Sequence, residues 1–223
     1  MSRSFGRGRR IALASLVLVA ACARGLTPAE TEVARALFGA SIDPGAVRVL
    51  AGVGIAPLPQ PDEAALPASL RQPPENPCLR QQSPRRVLAW PAAFTLGNRI
   101  YFNPRYYAPD AARGYPRSLP LPASLLLMHE LVHVWQWQNR AQTGYSAGRA
   151  AGESVARVDP YWWLTEEGRA FLRFGFEQQA AIIEDFACYA FFDRRDPKLA
   201  ELAALLRPVL PVDRFLAGLA AAR

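Results

Sequence analysis

Apolar positions fall into blocks separated by proline-rich polar stretches. In "TPAETEVARALFG" the apolar residues recur at helical spacing. Thr27 can cap, Pro28 suits the first helical position and Glu30 completes a capping box, so a helix is predicted to Phe38 with Gly39 as its stop. "AVRVL" reads as a short strand. Residues 57–84 carry too many prolines and polar side chains for regular structure and read as a long loop wrapped over the domain. "RRVLAW" and "FTLGNRIYF" return to strand composition. The second is two β runs around Gly97-Asn98, which suits a two-residue hairpin, with "RIYF" read as an edge strand.

A second proline-rich loop leads into a helix predicted over 123–139, apolar almost all round, as a core helix is. A glycine-containing connection follows, "RAQTGYSAGRAAGESVARVDPYWW", then a long helix over about 166–192 and two short helices divided by Pro208 and Pro211. These elements make a helix-rich α+β chain, and 223 residues with 51% hydrophobic content suit one well-buried domain.

The net charge of +7 changes little. Four of the 26 basic side chains, Arg3, Arg7, Arg9 and Arg10, cluster at the N-terminus; without them the balance is 22 to 19, or +3, and scattered arginines do not make a nucleic-acid footprint. The cluster belongs to a leader. "MSRSFGRGRR" is a positive n-region and "IALASLVLVAA" an apolar stretch well short of the ~20 residues of a membrane span. Its end, "VAAC", resembles the lipobox of bacterial lipoproteins, which implies a signal peptide over 1–21 and lipidation of Cys22. Ala23 stands where an aspartate tends to retain such proteins in the inner membrane, so the expected location is the periplasmic side of the outer membrane, with the lipid anchor as the membrane contact. In that oxidising compartment the remaining cysteines, Cys78 and Cys188, are a candidate disulfide.

The candidate chemistry lies in "LLLMHELVHVWQWQ". It holds both histidines of the chain, His129 and His133, with Glu130 beside the first. Burying all three among leucines is unfavourable unless something compensates them, and one metal ion would. On a helix, residues four apart lie on one face, so the two rings can point at a single ion. Glu130, rotated by about 100°, would sit beside the metal as general base, taking the proton of a zinc-activated water that attacks a carbonyl carbon. Histidines merely hydrogen-bonded in the core are the competing reading. They would need several separate partners.

The third ligand must come from elsewhere. Gln136 and Asn139 replace the glycine and histidine of the HExxHxxGxxH extension, which excludes the metzincin branch. "GFEQQAAIIEDF" offers Glu177, 44 residues after His133 (177 − 133), while Glu184 lies seven further on. On one helix these two are about 10.5 Å apart along the axis, so only one can ligate. Ala180 and Ala181 leave room for close approach beside Glu177. Oxyanion candidates are Tyr145, Arg157 and Tyr161.

"HELVHVWQ", preceded by "TLGNRIYF" and followed by "FEQQAAIIEDF", resembles the zinc metallopeptidase-like domain known as the extracellular contractile injection system core domain, over about residues 94–192. The resemblance implies a zincin-like fold and peptide-bond hydrolysis, with Zn2+ held by His129, His133 and Glu177 and Glu130 as base. It divides the mature chain into 22–93 (N-terminal helix, short strands and proline-rich wrap), a zincin-like metal-binding core at 94–192, and C-terminal helices at 193–223. Related zincins often carry an aspartate where Ala181 stands, so support for the metal-binding histidines falls to Glu184 or Asp185. The implied partner is a peptide or protein substrate, and a secretion-apparatus partner stays open. The alternative is an envelope structural or assembly lipoprotein that keeps zinc for stability and cleaves nothing.

Overall fold

A computed structural model describes residues 23–60, 76–86, 90–165 and 168–222. The expected leader, Cys22, much of the proline-rich wrap and the centre of "RRVLAW" lie outside the described residues. The chain forms a small sheet laid against a helical layer. Strand β1 (Ala23–Arg24) leads into α1 (Pro28–Phe38), where the Thr27 hydroxyl accepts from the Glu30 N–H and the Glu30 carboxylate accepts from the Thr27 N–H, the capping box read from sequence. Strands β2 (Arg48–Ala51), β3 (Ala93–Leu96) and β4 (Arg99–Phe102) complete a sheet of order β1-β2-β4-β3. The pairs β1/β2 and β3/β4 are antiparallel, whereas β2 and β4 run parallel. Gly97 turns the β3–β4 hairpin at φ 61°, the positive angle its first turn position demands.

The sheet order corrects the reading of "RIYF". β4 is flanked on both sides, by β2 and β3, and has no free edge; among the described residues the terminal strands are β1 and β3, "AFTL". An early strand that pairs alongside a hairpin formed much later in the chain leaves no mark in local composition, so strand content was legible and sheet order was not.

Helix α2 (Ala123–Gln138) lies under β3 and β4 and packs on α5 (Phe176–Phe192). Both are buried over most of their circumference, which explains their near-continuous apolar sequence. Between them stand α3 (Arg140–Thr143) and α4 (Ala147–Ala156); α6 (Pro197–Leu206) and α7 (Val212–Ala221) close the fold against α5 and α1. Two expectations give way here. The connection after residue 139 contains α4, whose Gly148 and Gly152 lower its intrinsic helix propensity but whose Ser146 caps it. The helix expected from about 166 begins at Phe176, because Gly175 takes an extended N-cap conformation and Phe171 and Phe174 enter the core from a 3-10 turn and loop.

One core joins α1, the sheet, α2, α5, α6 and α7, so the N- and C-terminal segments pack into the same interior as residues 94–192. Trp135, Phe38, Phe102, Phe171, Phe186 and Phe215 are its largest fully buried side chains among the described residues, each contributing about 1.5–3 kcal/mol relative to exposure. Cys78 and Cys188 are joined by a disulfide spanning 110 residues, which ties the wrap to α5. Among the described residues no helix is long and apolar enough to cross a membrane.

Candidate metal centre

Because α2 presents residues four apart on one face, His129 and His133 both point toward α5, their ring centroids 5.2 Å apart. α5 meets them with Glu177 from its first turn, whose Oε2 lies 3.2 Å from Nε2 of each ring. The ligand atoms of His129, His133 and Glu177 all fall within 4.8 Å of one another. The opposite ring nitrogens have partners of their own. His133 Nδ1 is 2.9 Å from Gln136 Oε1, and His129 Nδ1 is 3.3 Å from Glu184 Oε2.

The hydrogen bonds determine which way these rings face chemically. Gln179 donates to the Phe174 carbonyl, so its oxygen faces Gln136; Gln136 donates to that oxygen and to the Phe176 carbonyl, so its own oxygen faces His133. The His133 Nδ1 must then be the donor, and Nε2 carries the lone pair. At His129 both nitrogens face carboxylates that only accept, Glu184 at Nδ1 and Glu177 at Nε2, so a neutral ring satisfies one of them, and a cation on Nε2 leaves Nδ1–H to donate to Glu184. The His133 lone pair is aimed at the Glu177 oxygen, acceptor against acceptor, a contact that only a cation or a proton reconciles. Two imidazole nitrogens and a carboxylate oxygen are the donor set zinc takes, and these residues fit it.

Without a metal, protons take that part. Burial alone would lower His129, but hydrogen bonds to Glu177 and Glu184 outweigh it and raise its pKa to about 10. His133 rises likewise, burial being outweighed by Glu177. Burial would raise Glu177, yet the two histidines hold it far below the usual carboxylate range.

Glu130 is buried beside the group, and the Thr95 hydroxyl of β3 donates to its Oε2 at 2.8 Å. Burial raises its pKa, with both histidines and Thr95 opposing. A cleft of about 300 Å³ opens over His129, Glu130, His133 and Glu177, walled by β3 and α4. Tyr145 and Tyr161 line it, their rings 6.4 Å from His133 and 5.6 Å from His129. Burial pushes the Tyr145 hydroxyl up to about 12. Arg157 lies outside this cleft, in the wall of a neighbouring cavity. Asp185 touches neither histidine: its carboxylate accepts from Arg80 and from Trp163 Nε1. Glu184 is the carboxylate that reaches His129.

Sequence reasoning missed Thr95, Gln136, Gln179 and Arg80. Only Gln136 carried a local signal, since a glutamine three residues past His133 on a buried helix is placed to meet it. Glu153 of α4 was also missed; it accepts the Phe176 N–H at 2.7 Å and fastens the start of α5 one residue before Glu177.

Fold and site together define a helix-rich α+β domain with a His–His–Glu group beneath a terminal strand of its small sheet. The profile of the eCIS core domain family matches residues 81–142, which include β3, β4 and α2. The chain is similar in fold to the effector domain of VgrG2b from Pseudomonas aeruginosa, with 22% sequence identity, a TM-score of 0.51 and 83% of each chain covered. No curated protein sequence matches the chain.

Proposed function

We propose that this chain is a zinc-dependent peptidase with a secretion- or effector-related role, in which His129, His133 and Glu177 hold the ion. The observation that carries the reading is the convergence of two histidine Nε2 atoms and a carboxylate oxygen beside a buried glutamate in an open cleft. Bound zinc would supply a Lewis acid that polarises a carbonyl and makes a water nucleophilic near neutral pH. Glu130 is the general base: with Oε2 accepting the Thr95 hydroxyl, Oε1 remains to take a proton. Tyr145 and Tyr161, neutral at pH 7, offer hydroxyl donors to a developing oxyanion. Among the described residues the outer edge of β3 is unpaired, which suits an extended peptide whose backbone would add to the sheet across the cleft. The leader ending in "VAAC" supports export and anchoring at Cys22 on the periplasmic side of the outer membrane. Similarity to the eCIS core domain and to an effector domain supports the secretion-related part.

Cleavage of a peptide library tests the enzymatic part. Glu130→Gln should keep its zinc while hydrolysis falls by about 10²- to 10⁴-fold. A variant as active as the parent contradicts the mechanism, and a zinc-loaded parent that cleaves nothing leaves the centre structural.

A further inference from the structure

We infer that Arg80, pinned by the Cys78–Cys188 disulfide, is a positioning residue for the metal centre, and that the oxidation state of this disulfide sets the zinc affinity. The inference rests on the zinc reading proposed above. Residues 76–86 form neither helix nor strand, so no backbone ladder places Arg80. Its covalent anchor is the disulfide two residues earlier, which fastens the loop to Cys188, one turn beyond Glu184 on α5, while the far end of the loop is held by the Ser83 N–H on Asp159 and by Arg86 on the Arg157 carbonyl. From there the guanidinium grips both carboxylates: Nε lies 3.0 Å from Asp185 Oδ1, and Nη2 lies 2.7 Å from the same oxygen and 3.0 Å from Glu184 Oε2.

Glu184 in turn faces His129 Nδ1. Among the described residues its hydrogen bonds go to Arg80 and His129 alone. Released from Arg80, Glu184 stands next to Asp185 as a like charge and is free to turn toward water, since its side chain is 26% exposed. His129 then loses the acceptor that fixes its tautomer and ring orientation, a loss that costs a metal site about 10- to 100-fold in affinity.

The chemical event is thiol–disulfide exchange. A dithiol reductant gives two electrons and two protons to the Cys78–Cys188 bond, which becomes two thiols while the reductant closes its own disulfide. The centre would thus be complete only in an oxidising compartment. The sign of the effect separates positioning from charge. Arg80 is a cation near a cation site, so by Coulomb's law alone its removal should tighten zinc binding; positioning requires that binding weaken.

Zinc affinity, read by competition with a chromophoric chelator, tests this on the full folded chain. The forms compared are the oxidised parent, the parent reduced with a trialkylphosphine in place of a zinc-binding dithiol, Arg80→Met, and reduced Arg80→Met, with circular dichroism confirming helix content. Reduction and Arg80→Met should each weaken zinc binding by about 10- to 100-fold, and reduction of Arg80→Met should add no more than about twofold. Unchanged affinity on reducing the parent overturns the inference, and that arm needs no substitution. Tighter binding by Arg80→Met overturns it too, as does an equal loss on reduction with and without Arg80, which would mean a staple acting on the fold at large. Zinc uptake absent from the oxidised parent sinks the metal reading itself.

Discussion

Both ring nitrogens of His129 face carboxylate oxygens, Nε2 toward Glu177 and Nδ1 toward Glu184, two turns apart on α5. One imidazole therefore spans the distance that kept both glutamates from sharing an ion. Metal-free, this ring is a buried cation with a pKa of about 10, above the ~6.5 of an unfolded chain. A raised folded pKa contributes stability that is fully present below pH ~6.5 and is lost as pH rises toward 10. Metal-stripped protein should therefore melt at falling temperature from pH 7 to pH 10. Zinc must displace the same proton, so calorimetry at pH 7 in two buffers of different ionisation enthalpy should show at least one proton released per zinc. Binding without proton release contradicts this picture of His129.

At the scale of elements, the centre depends on how closely α2 and α5 approach. Ala180 and Ala181, both fully buried, stand between the turns that carry Glu177 and Glu184. Ala181→Leu should cost about 1–3 kcal/mol by overpacking, read as a lower melting temperature, and should weaken zinc binding by moving Glu177 away from the histidines. A variant with parental melting and zinc affinity would show that the interface has slack. The elements differ in how legible they were. Helix α2 could be read because HExxH and an apolar surface coincide in one continuous run, and α1 because its cap is local. The edge position of β3 depends on β2, more than forty residues earlier in the sequence, joining the far side of β4. Helix α4 carries two glycines and is held by tertiary contacts such as Glu153 to the start of α5. Neither could be found from a window of neighbours.

Across the whole molecule, contacts distant in sequence turn a two-helix motif into a site. Thr95 of the edge strand holds Glu130 across 35 residues, and Arg80 of the disulfide-tied wrap holds Glu184 across 104. Residue types chosen for chemistry stand out in sequence, as His129, Glu130, His133 and Glu177 do; threonine, glutamine and arginine acquire their role only from the neighbours the fold gives them. Around them the main core fixes α2 against α5 from both ends of the chain. The proposed function requires one zinc ion between those helices. Metal content of the purified chain by elemental analysis reads this, with Glu177→Ala and Glu184→Ala beside the parent. About one zinc is expected per parent chain, none in Glu177→Ala, and zinc retained at about 10- to 100-fold lower affinity in Glu184→Ala. A parent without metal, or a fully loaded Glu177→Ala beside an empty Glu184→Ala, would contradict it.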